Sequence, residues 1–239
     1  MNLLELKGVA AGYGDVDIVS NIDMHVAPNE IVTIAGTNGA GKSTLIKAVM
    51  GLLPRISGEL NFEGADLRSI SIESRIRLGI SYVPQVKNVF GALTVMENLQ
   101  VVEHSGNRAA RIADMFDLFP PLAARRKVNA ENLSGGERQQ LAFARALMSS
   151  PRLMLLDEPS AALSPALTRQ VFDEVRKLPG IGVAVLMVEQ RARQALAFSD
   201  RGYILDSGKV VLSDTGSALL ANQGMADLYI GRSAGAHQA

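Results

Sequence analysis

Cysteine is absent from this chain of 239 residues. That excludes disulfides and thiolate metal sites at once. Net charge is missing too: 24 Lys plus Arg offset 24 Asp plus Glu, so no overall positive field draws in nucleic acid. Histidine is scarce, with His25, His104 and His237 the full set. No apolar run approaches the ~20 residues needed to cross a bilayer. The segment Met1-Asn2-Leu3-Leu4-Glu5-Leu6-Lys7 lacks the basic-then-apolar order of a secretory signal. Neither an internal repeat nor a low-complexity stretch is visible. The expectation is a soluble, cytoplasmic protein whose membrane work, if any, runs through a partner. What remains is ample: 47% of the residues are hydrophobic, in a length that suits one large domain or two small ones.

The stretch Gly36-Thr37-Asn38-Gly39-Ala40-Gly41-Lys42-Ser43 fits G-x-x-x-x-G-K-[ST] at every fixed position. Its flanks fit as well. Glu30 to Ala35 is apolar and β-branched, a buried strand by pattern, and Ser43 to Met50 reads as a helix. Strand, glycine-rich turn and helix together make a phosphate cradle. Glycines let the backbone wrap a polyphosphate with its N–H groups inward, and the helix N-terminus adds partial positive charge. Lys42 is placed to reach the β- and γ-phosphates, and Ser43 to give a hydroxyl to Mg²⁺. The alternative, a glycine-rich turn that binds nothing, leaves both flanks without a purpose.

Around this stretch the chain alternates between strand and helix. Leu3 to Val9 predicts a strand ended by a turn at Ala11–Gly14, and Ile18 to Val26 a second strand broken at Asn21. Gly51 to Gly58 reads as a loop, Glu59 to Phe62 as a strand, 71–78 as a helix and Ile80 to Val83 as a strand stopped by Pro84. Periodicity then turns helical. Thr94-Val95-Met96-Glu97 is a capping box, and Arg108–Phe119 and Leu122–Val128 predict helices separated by Pro120-Pro121. This insert, about 86–140, is expected to form a helical subdomain. Strands resume at 153–157 and 183–188 with a helix from Pro165 between them. Arg201 to Asp214 reads as a hairpin about Asp206-Ser207-Gly208. Two short helices are expected next, then a frayed tail at about 231–239.

Two further stretches carry chemistry. Leu153-Met154-Leu155-Leu156-Asp157-Glu158 is an apolar strand ending in two carboxylates. Beside a phosphate loop, Asp157 can hold Mg²⁺ through its water shell, and Glu158 can orient or deprotonate the attacking water. Alone, the pair reads equally as a helix cap. Leu133-Ser134-Gly135-Gly136-Glu137 precedes a helical run, Glu137 to Met148. Its free N–H groups and serine hydroxyl make a second anion-binding device, or simply an N-cap with glycines.

Taken in order, Gly36–Ser43, Leu133–Glu137 and Leu153–Glu158 resemble the ATP-binding subunits of ABC transporters, over about residues 3–230. The resemblance implies an α/β P-loop NTPase core, an antiparallel β region near the N-terminus and a helical subdomain carrying the signature, all as one ABC ATPase domain. It implies that two such subunits meet head to tail. Each ATP then lies between one phosphate loop (Gly36, Asn38, Gly39, Ala40, Gly41, Lys42, Ser43, Thr44) and the other subunit's counterparts of Ser134, Gly135 and Gly136. Closing that dimer drives membrane permease subunits, and a solute-binding protein is involved indirectly; nucleic acid is not. Tyr13 matches the aromatic that stacks on adenine, though a turn tyrosine also serves packing. Gln85 matches the glutamine that senses Mg²⁺ and the attacking water, though it also reads as a loop amide. Gly91 to Leu99 resembles the segment bordering the groove for the permease's coupling helix; as bare sequence it is the start of an amphipathic helix.

Two places depart from the family pattern. Ser164 stands where the loop after the Asp-Glu pair usually ends in Asp. Gln190 stands where most members place the histidine that contacts the γ-phosphate. Glutamine still donates a hydrogen bond but cannot carry an imidazolium charge, so hydrolysis at this chain's own loop is expected to be weaker or more partner-dependent. Val188-Glu189-Gln190, Arg201–Leu205 and Val211–Gly216 are similar to the second ATPase subunit (LivF type) of importers for branched-chain amino acids, which implies a heterodimer. An importer for urea or another small solute is similar too. A soluble ABC ATPase on nucleic acid predicts a coiled-coil insert, a tandem domain or a basic face, and the signature opposes a kinase. A scaffold ATPase for cofactor assembly stays open.

Overall fold

The computed structural model describes residues 2–103 and 106–222. In chain order, β1 (Leu4–Tyr13) and β2 (Val16–Val26) form a hairpin, and β3 (Ile31–Gly36) leads through the glycine-rich turn into α1 (Lys42–Met50). Next come β4 (Arg55–Phe62), the two-residue β5 (Ala65–Asp66), α2 (Ile72–Arg77) and β6 (Ile80–Val83). The helices α3 (Val95–Gln100), α4 (Arg108–Leu118), α5 (Pro120–Ala124) and α6 (Gly135–Leu147) follow. Alternation returns with β7 (Leu153–Asp157), α7 (Pro165–Lys177), β8 (Ala184–Val188), α8 (Ala192–Leu196), β9 (Arg201–Asp206), β10 (Lys209–Thr215) and α9 (Gly216–Ala221).

The strands make two sheets. One is antiparallel, in the order β2-β1-β4-β5. The other runs β10-β9-β3-β8-β7-β6, parallel throughout except for the β9–β10 hairpin at its edge. Every residue of β7 and β8 is buried, which explains their unbroken apolar sequence: a parallel strand covered on both faces has no polar side to show. Successive side chains point to opposite faces. Leu153, Leu155, Leu186 and Val188 therefore join α1 and the antiparallel sheet in one core. Met154, Leu156, Val185 and Met187 pack with α3 to α7 in the other.

Register decides what meets at the sheet's carboxyl edge. Ile34 of β3 lies opposite Val188 of β8, which lies opposite Asp157 of β7. The phosphate-type loop after β3, the Asp157-Glu158 pair and Glu189-Gln190 thus leave the sheet side by side. That edge is where open α/β sheets bind ligands.

Several boundaries differ from the sequence reading. The first strand runs on to Tyr13 and turns at Gly14-Asp15, because Ala11, Gly12 and Tyr13 still pair with β2. The break at Asn21 is real, a left-handed residue (φ 51°) at a register irregularity. The loop expected over 51–58 is half strand, since Arg55, Ile56 and Ser57 pair with Gly12, Ala11 and Ala10. Pro120-Pro121 does not separate helices; the pair opens α5, which ends at Ala124 and so leaves the expected helical turns to Val128 unformed. Proline suits a first turn because its missing N–H has no helical partner there. The signature helix begins at Gly135 rather than Glu137. A second helix after α9 and the tail at about 231–239 lie outside the described residues.

Candidate active site

The glycine-rich turn is shaped by positive backbone angles that only glycine takes without strain. Gly39 has φ 81° and Gly41 φ 97°. A Cβ on Gly41 would stand 2.6 Å from Val19 Cγ1 of β2, whereas one on Gly39 would meet nothing within 4 Å. The loop is therefore tight against the antiparallel sheet on one side and open on the other. Asn38 and Gly39 are exposed on that open side, Ala40 is buried beneath, and Ser43 and Thr44 are half-buried in the first turn of α1. No side chain caps α1, so its leading N–H groups remain available to an anion.

Lys42 folds back over the turn, donating to the carbonyl oxygens of Gly36 at 3.0 Å and Thr37 at 2.9 Å. Burial lowers its pKa, opposed by the carboxylates of Glu158, Asp157 and Glu189. A polyphosphate in the turn would bring further negative charge to this amine. The chemistry of the turn fits a nucleotide triphosphate.

Ser43 donates its hydroxyl to Asp157 Oδ1 at 2.7 Å, and the Tyr82 phenol donates to Asp157 Oδ2 at 3.2 Å. Burial raises the Tyr82 pKa first and the Asp157 charge adds to it, so the phenol stays a donor. Ser43 and Asp157 are oxygen ligands of the kind Mg²⁺ takes. Among the described residues no group of three or more His, Cys, Asp or Glu side chains could hold a metal. The ion would thus need phosphate and water oxygens to complete its shell.

Glu158, nearly buried and at φ 50°, is held by two amides. Gln85 Nε2 donates to its Oε2 at 2.9 Å, and Gln190 Nε2 donates to the same oxygen at 2.8 Å. Both amides meet at the one oxygen, Oε2. Lys42, Ser43, Gln85, Asp157, Glu158 and Gln190 thus converge from β3–α1, β6, β7 and β8.

Tyr13 and the signature residues make no described hydrogen bond to this group. Tyr13 is half-exposed at the tip of the β1–β2 hairpin, whose β2 side lies against Gly41. Ser134 is the exposed N-cap of α6 in a reciprocal capping box. Its N–H donates to Glu137 Oε2 at 2.9 Å and its Oγ accepts from the Glu137 N–H at 3.3 Å. That N–H of Ser134 holds the Glu137 pKa down. Gly135 faces Leu163 and Leu167, and Gly136 is buried where a Cβ would stand 2.8 Å from Leu167 Cδ2. Among the described residues no hydrogen bond joins this helix start to the Gly36–Ser43 turn.

The sequence reading missed three supports. Tyr82 is one. The β9–β10 turn is another: the Gly208 N–H donates to Ala40 O at 3.1 Å, the Ser20 N–H donates to Gly208 O at 2.9 Å, and a Cβ on Gly36 would stand 2.0 Å from Leu205 O. The third is Glu189, buried and hydrogen-bonded to the Ser160 N–H at 2.9 Å. Asp206-Ser207-Gly208 signalled the hairpin, but nothing local signalled its seat on the phosphate-type turn.

Comparison with known proteins shows the family. The pattern of the ABC transporter family matches residues 19–161. The chain is 40% identical to the high-affinity branched-chain amino acid transport ATP-binding protein BraG of Pseudomonas aeruginosa, over 96% of this chain and 100% of that protein. It is also 40% identical to the probable branched-chain amino acid transport ATP-binding protein LivF of Archaeoglobus fulgidus, over 96% and 99%. A solved ATP-binding cassette of an ABC transporter, in its ADP conformation, superimposes with a TM-score of 0.84 at 25% identity, covering 97% of this chain and 100% of that one. This chain belongs to the ABC transporter family, as one of its ATP-binding, ATP-hydrolysing proteins.

Proposed function

We propose that this chain energises a membrane importer for branched-chain or other hydrophobic amino acids. The observation that carries the ATPase half is the convergence on Glu158: two amides on one of its oxygens, beside a phosphate-type turn and the Ser43–Asp157 pair. The solute class rests on the two relatives named for branched-chain amino acid transport.

In this reading the turn from Gly36 to Ser43, with Thr44, binds the phosphates of ATP, and Tyr13 packs on adenine. Lys42 exchanges its two carbonyl partners for β- and γ-phosphate oxygens, a gain because both members of each bond are then charged. Ser43, Asp157 and Gln85 hold Mg²⁺, which when bound neutralises charge on the phosphate oxygens. Glu158 takes the proton of the attacking water at Oε1 while Gln85 and Gln190 fix the carboxylate's orientation. Ser134, Gly135 and Gly136, exposed or on a separate helix, supply their N–H groups and hydroxyl to a nucleotide on a second ABC ATPase subunit. The departures at Ser164 and Gln190 favour an unlike partner, a heterodimer. The stretch of about 86–140 acts as a helical subdomain within one ABC domain. By analogy with the relatives named for transport, the protein in this reading works on the inner face of the cell membrane, bound to permease subunits. Exposed Val86, Phe90 and Val101 suit that docking.

Co-purification of the chain from detergent-solubilised native membranes, followed by mass spectrometry, tests this. Two permease subunits and a second, histidine-containing ATPase are expected. Soluble partners alone, with no permease, would remove the transport role and leave the ATPase chemistry standing.

A further inference from the structure

The mechanism above leaves one buried carboxyl without a task. Glu189 is 1% exposed and lies next to Gln190 in sequence, on the segment leaving β8. One of its oxygens, Oε1, accepts the Ser160 N–H at 2.9 Å, and Oε2 accepts the Arg191 N–H at 3.4 Å. Arg191 then reaches the same loop from the other side, donating to Leu163 O at 2.8 Å and to the Thr168 hydroxyl. The loop itself is a compact turn, with the Ala161 N–H on Glu158 O at 3.0 Å and the Leu163 N–H on Ser160 O at 3.2 Å. Gln190 therefore sits between two neighbours that both grip the segment running on from Glu158. A third bond ties the base strand across: the Glu158 N–H donates to Val188 O at 3.0 Å.

Ser164 does not supply such a link. Its hydroxyl accepts the Leu167 N–H at 3.4 Å and caps α7. A serine there is committed to its own helix, so any coupling of this loop to the reacting groups has to use other side chains.

We propose that Glu189, with Arg191 opposite it, is a positioning residue: a two-point clasp that locks the 160–164 loop to Gln190 and so sets where Gln190 holds Glu158. Displacement of the loop by a partner subunit would then reach Glu158 through the clasp rather than through a carboxylate at position 164. Burying a carboxylate is costly, and burial pushes the Glu189 pKa up; what the side chain gains in return is its hold on the Ser160 and Arg191 N–H groups on either side of Gln190. The inference rests on Glu158 being the group that activates water.

The test is steady-state Mg-ATP hydrolysis and ATP binding by the purified chain, or by its complex with whatever co-purifies, for Glu189→Ala, Glu189→Gln, Gln190→Ala and the Glu189→Ala/Gln190→Ala double variant. Glu189→Ala should lower kcat by about tenfold or more, since small misplacements near the chemistry are costly, with KM for ATP within about twofold. Glu189→Gln keeps an acceptor for the Ser160 N–H and should recover most of the rate. The double variant should be no slower than the slower single, as residues acting in one unit are non-additive. Multiplying effects in the double variant, an unchanged kcat in Glu189→Ala, or no recovery in Glu189→Gln would each overturn the clasp. Glu158→Gln runs alongside: if it stays active, the reading of Glu158 as the base fails, whereas an inactive Glu158→Gln beside a fully active Glu189→Ala removes the clasp alone.

Discussion

The turn at Gly36–Ser43 and the signature at Ser134–Gly136 are both helix starts able to bind an anion, yet they are built differently. At the first, α1 is uncapped and its surroundings are filled with charge: Lys42, Asp157, Glu158 and Glu189, all buried or nearly so. At the second, Ser134 is exposed and its helix is closed by a self-contained capping box. One end is an assembled set of reacting groups with its helix dipole open. The other is a finished helix start whose Ser134 N–H is taken up by Glu137 and whose Gly136 is buried against Leu167. No described hydrogen bond joins the two ends within the chain, so the difference between them is one of local construction. In the proposed reading each acts on something from outside: a nucleotide for the first, a nucleotide held by another subunit for the second.

The largest effects should come from the assembled end. Glu158→Gln should lower turnover by about 10²–10⁴-fold, the range for removing a general base, while ATP binding is kept and a closed dimer accumulates. Lys42→Ala should abolish turnover and in addition weaken ATP binding by about ten- to a hundredfold, from lost bonds to a charged group. Turnover assays with equilibrium nucleotide binding separate the two. Retained turnover in both variants would break the assignment of this end as the reacting one.

Ser134→Ala sharpens the comparison from the other side. The isolated chain should bind ATP unchanged, because no described hydrogen bond joins Ser134 to the chain's own phosphate-type turn. Turnover in the paired assembly should fall by about tenfold, the worth of one bond to a charged group. Weakened ATP binding by the isolated chain would place both ends on one nucleotide and collapse the distinction.

A smaller effect is expected at Gln190. Here the amide donates to Glu158 but carries no charge. Gln190→His should raise turnover in the assembled complex by roughly two- to tenfold, chiefly below about pH 6.5, where imidazolium is populated. Unchanged turnover across that range would mean that the amide performs the whole of the histidine's part.

The sequence revealed both ends. The phosphate-type turn was legible because its parts are contiguous: a β-branched strand, three glycines and a helix. The signature was legible for the same reason, and so was the Thr94–Glu97 capping box, which forms as the spacing required. What escaped depends on partners far along the chain. Arg55 to Ser57 carry no strand pattern of their own, and pair only because β1 offers a free edge. Gly208 supports Ala40 across the β3–β9 pairing, a contact between the chain's first and last thirds. Glu189 has a local sequence of no special kind; its meaning comes from Ser160 on the neighbouring strand's exit. Pro120-Pro121 misled because proline both ends and begins helices, and Phe119 before it sits at a non-helical φ of −125°.

The smallest predicted effects concern stability, and there the two ends should respond with opposite sign. Ser134→Ala removes a cap, which costs about 1 kcal/mol and lowers Tm by about 2–4 °C in a domain of this size. Glu189→Gln removes a carboxyl whose pKa burial has raised. Between its ordinary pKa, about 4.3, and the raised value, the folded state binds more protons than the unfolded one, so stability falls as pH rises through that window. Below it the carboxyl is neutral in both states and glutamine gains nothing. At neutral pH, glutamine relieves the whole buried-charge cost. The Tm advantage of Glu189→Gln over the native chain should therefore be near zero at about pH 4 and grow as pH rises toward 7, whereas the deficit of Ser134→Ala should stay level over the same range above the ionisation of Glu137. Thermal melts at four or five pH values read both. A Glu189→Gln chain that melts lower than the native one at neutral pH would show that the carboxylate's two N–H bonds outweigh its burial, and the reacting end would then be a source of stability like the signature end.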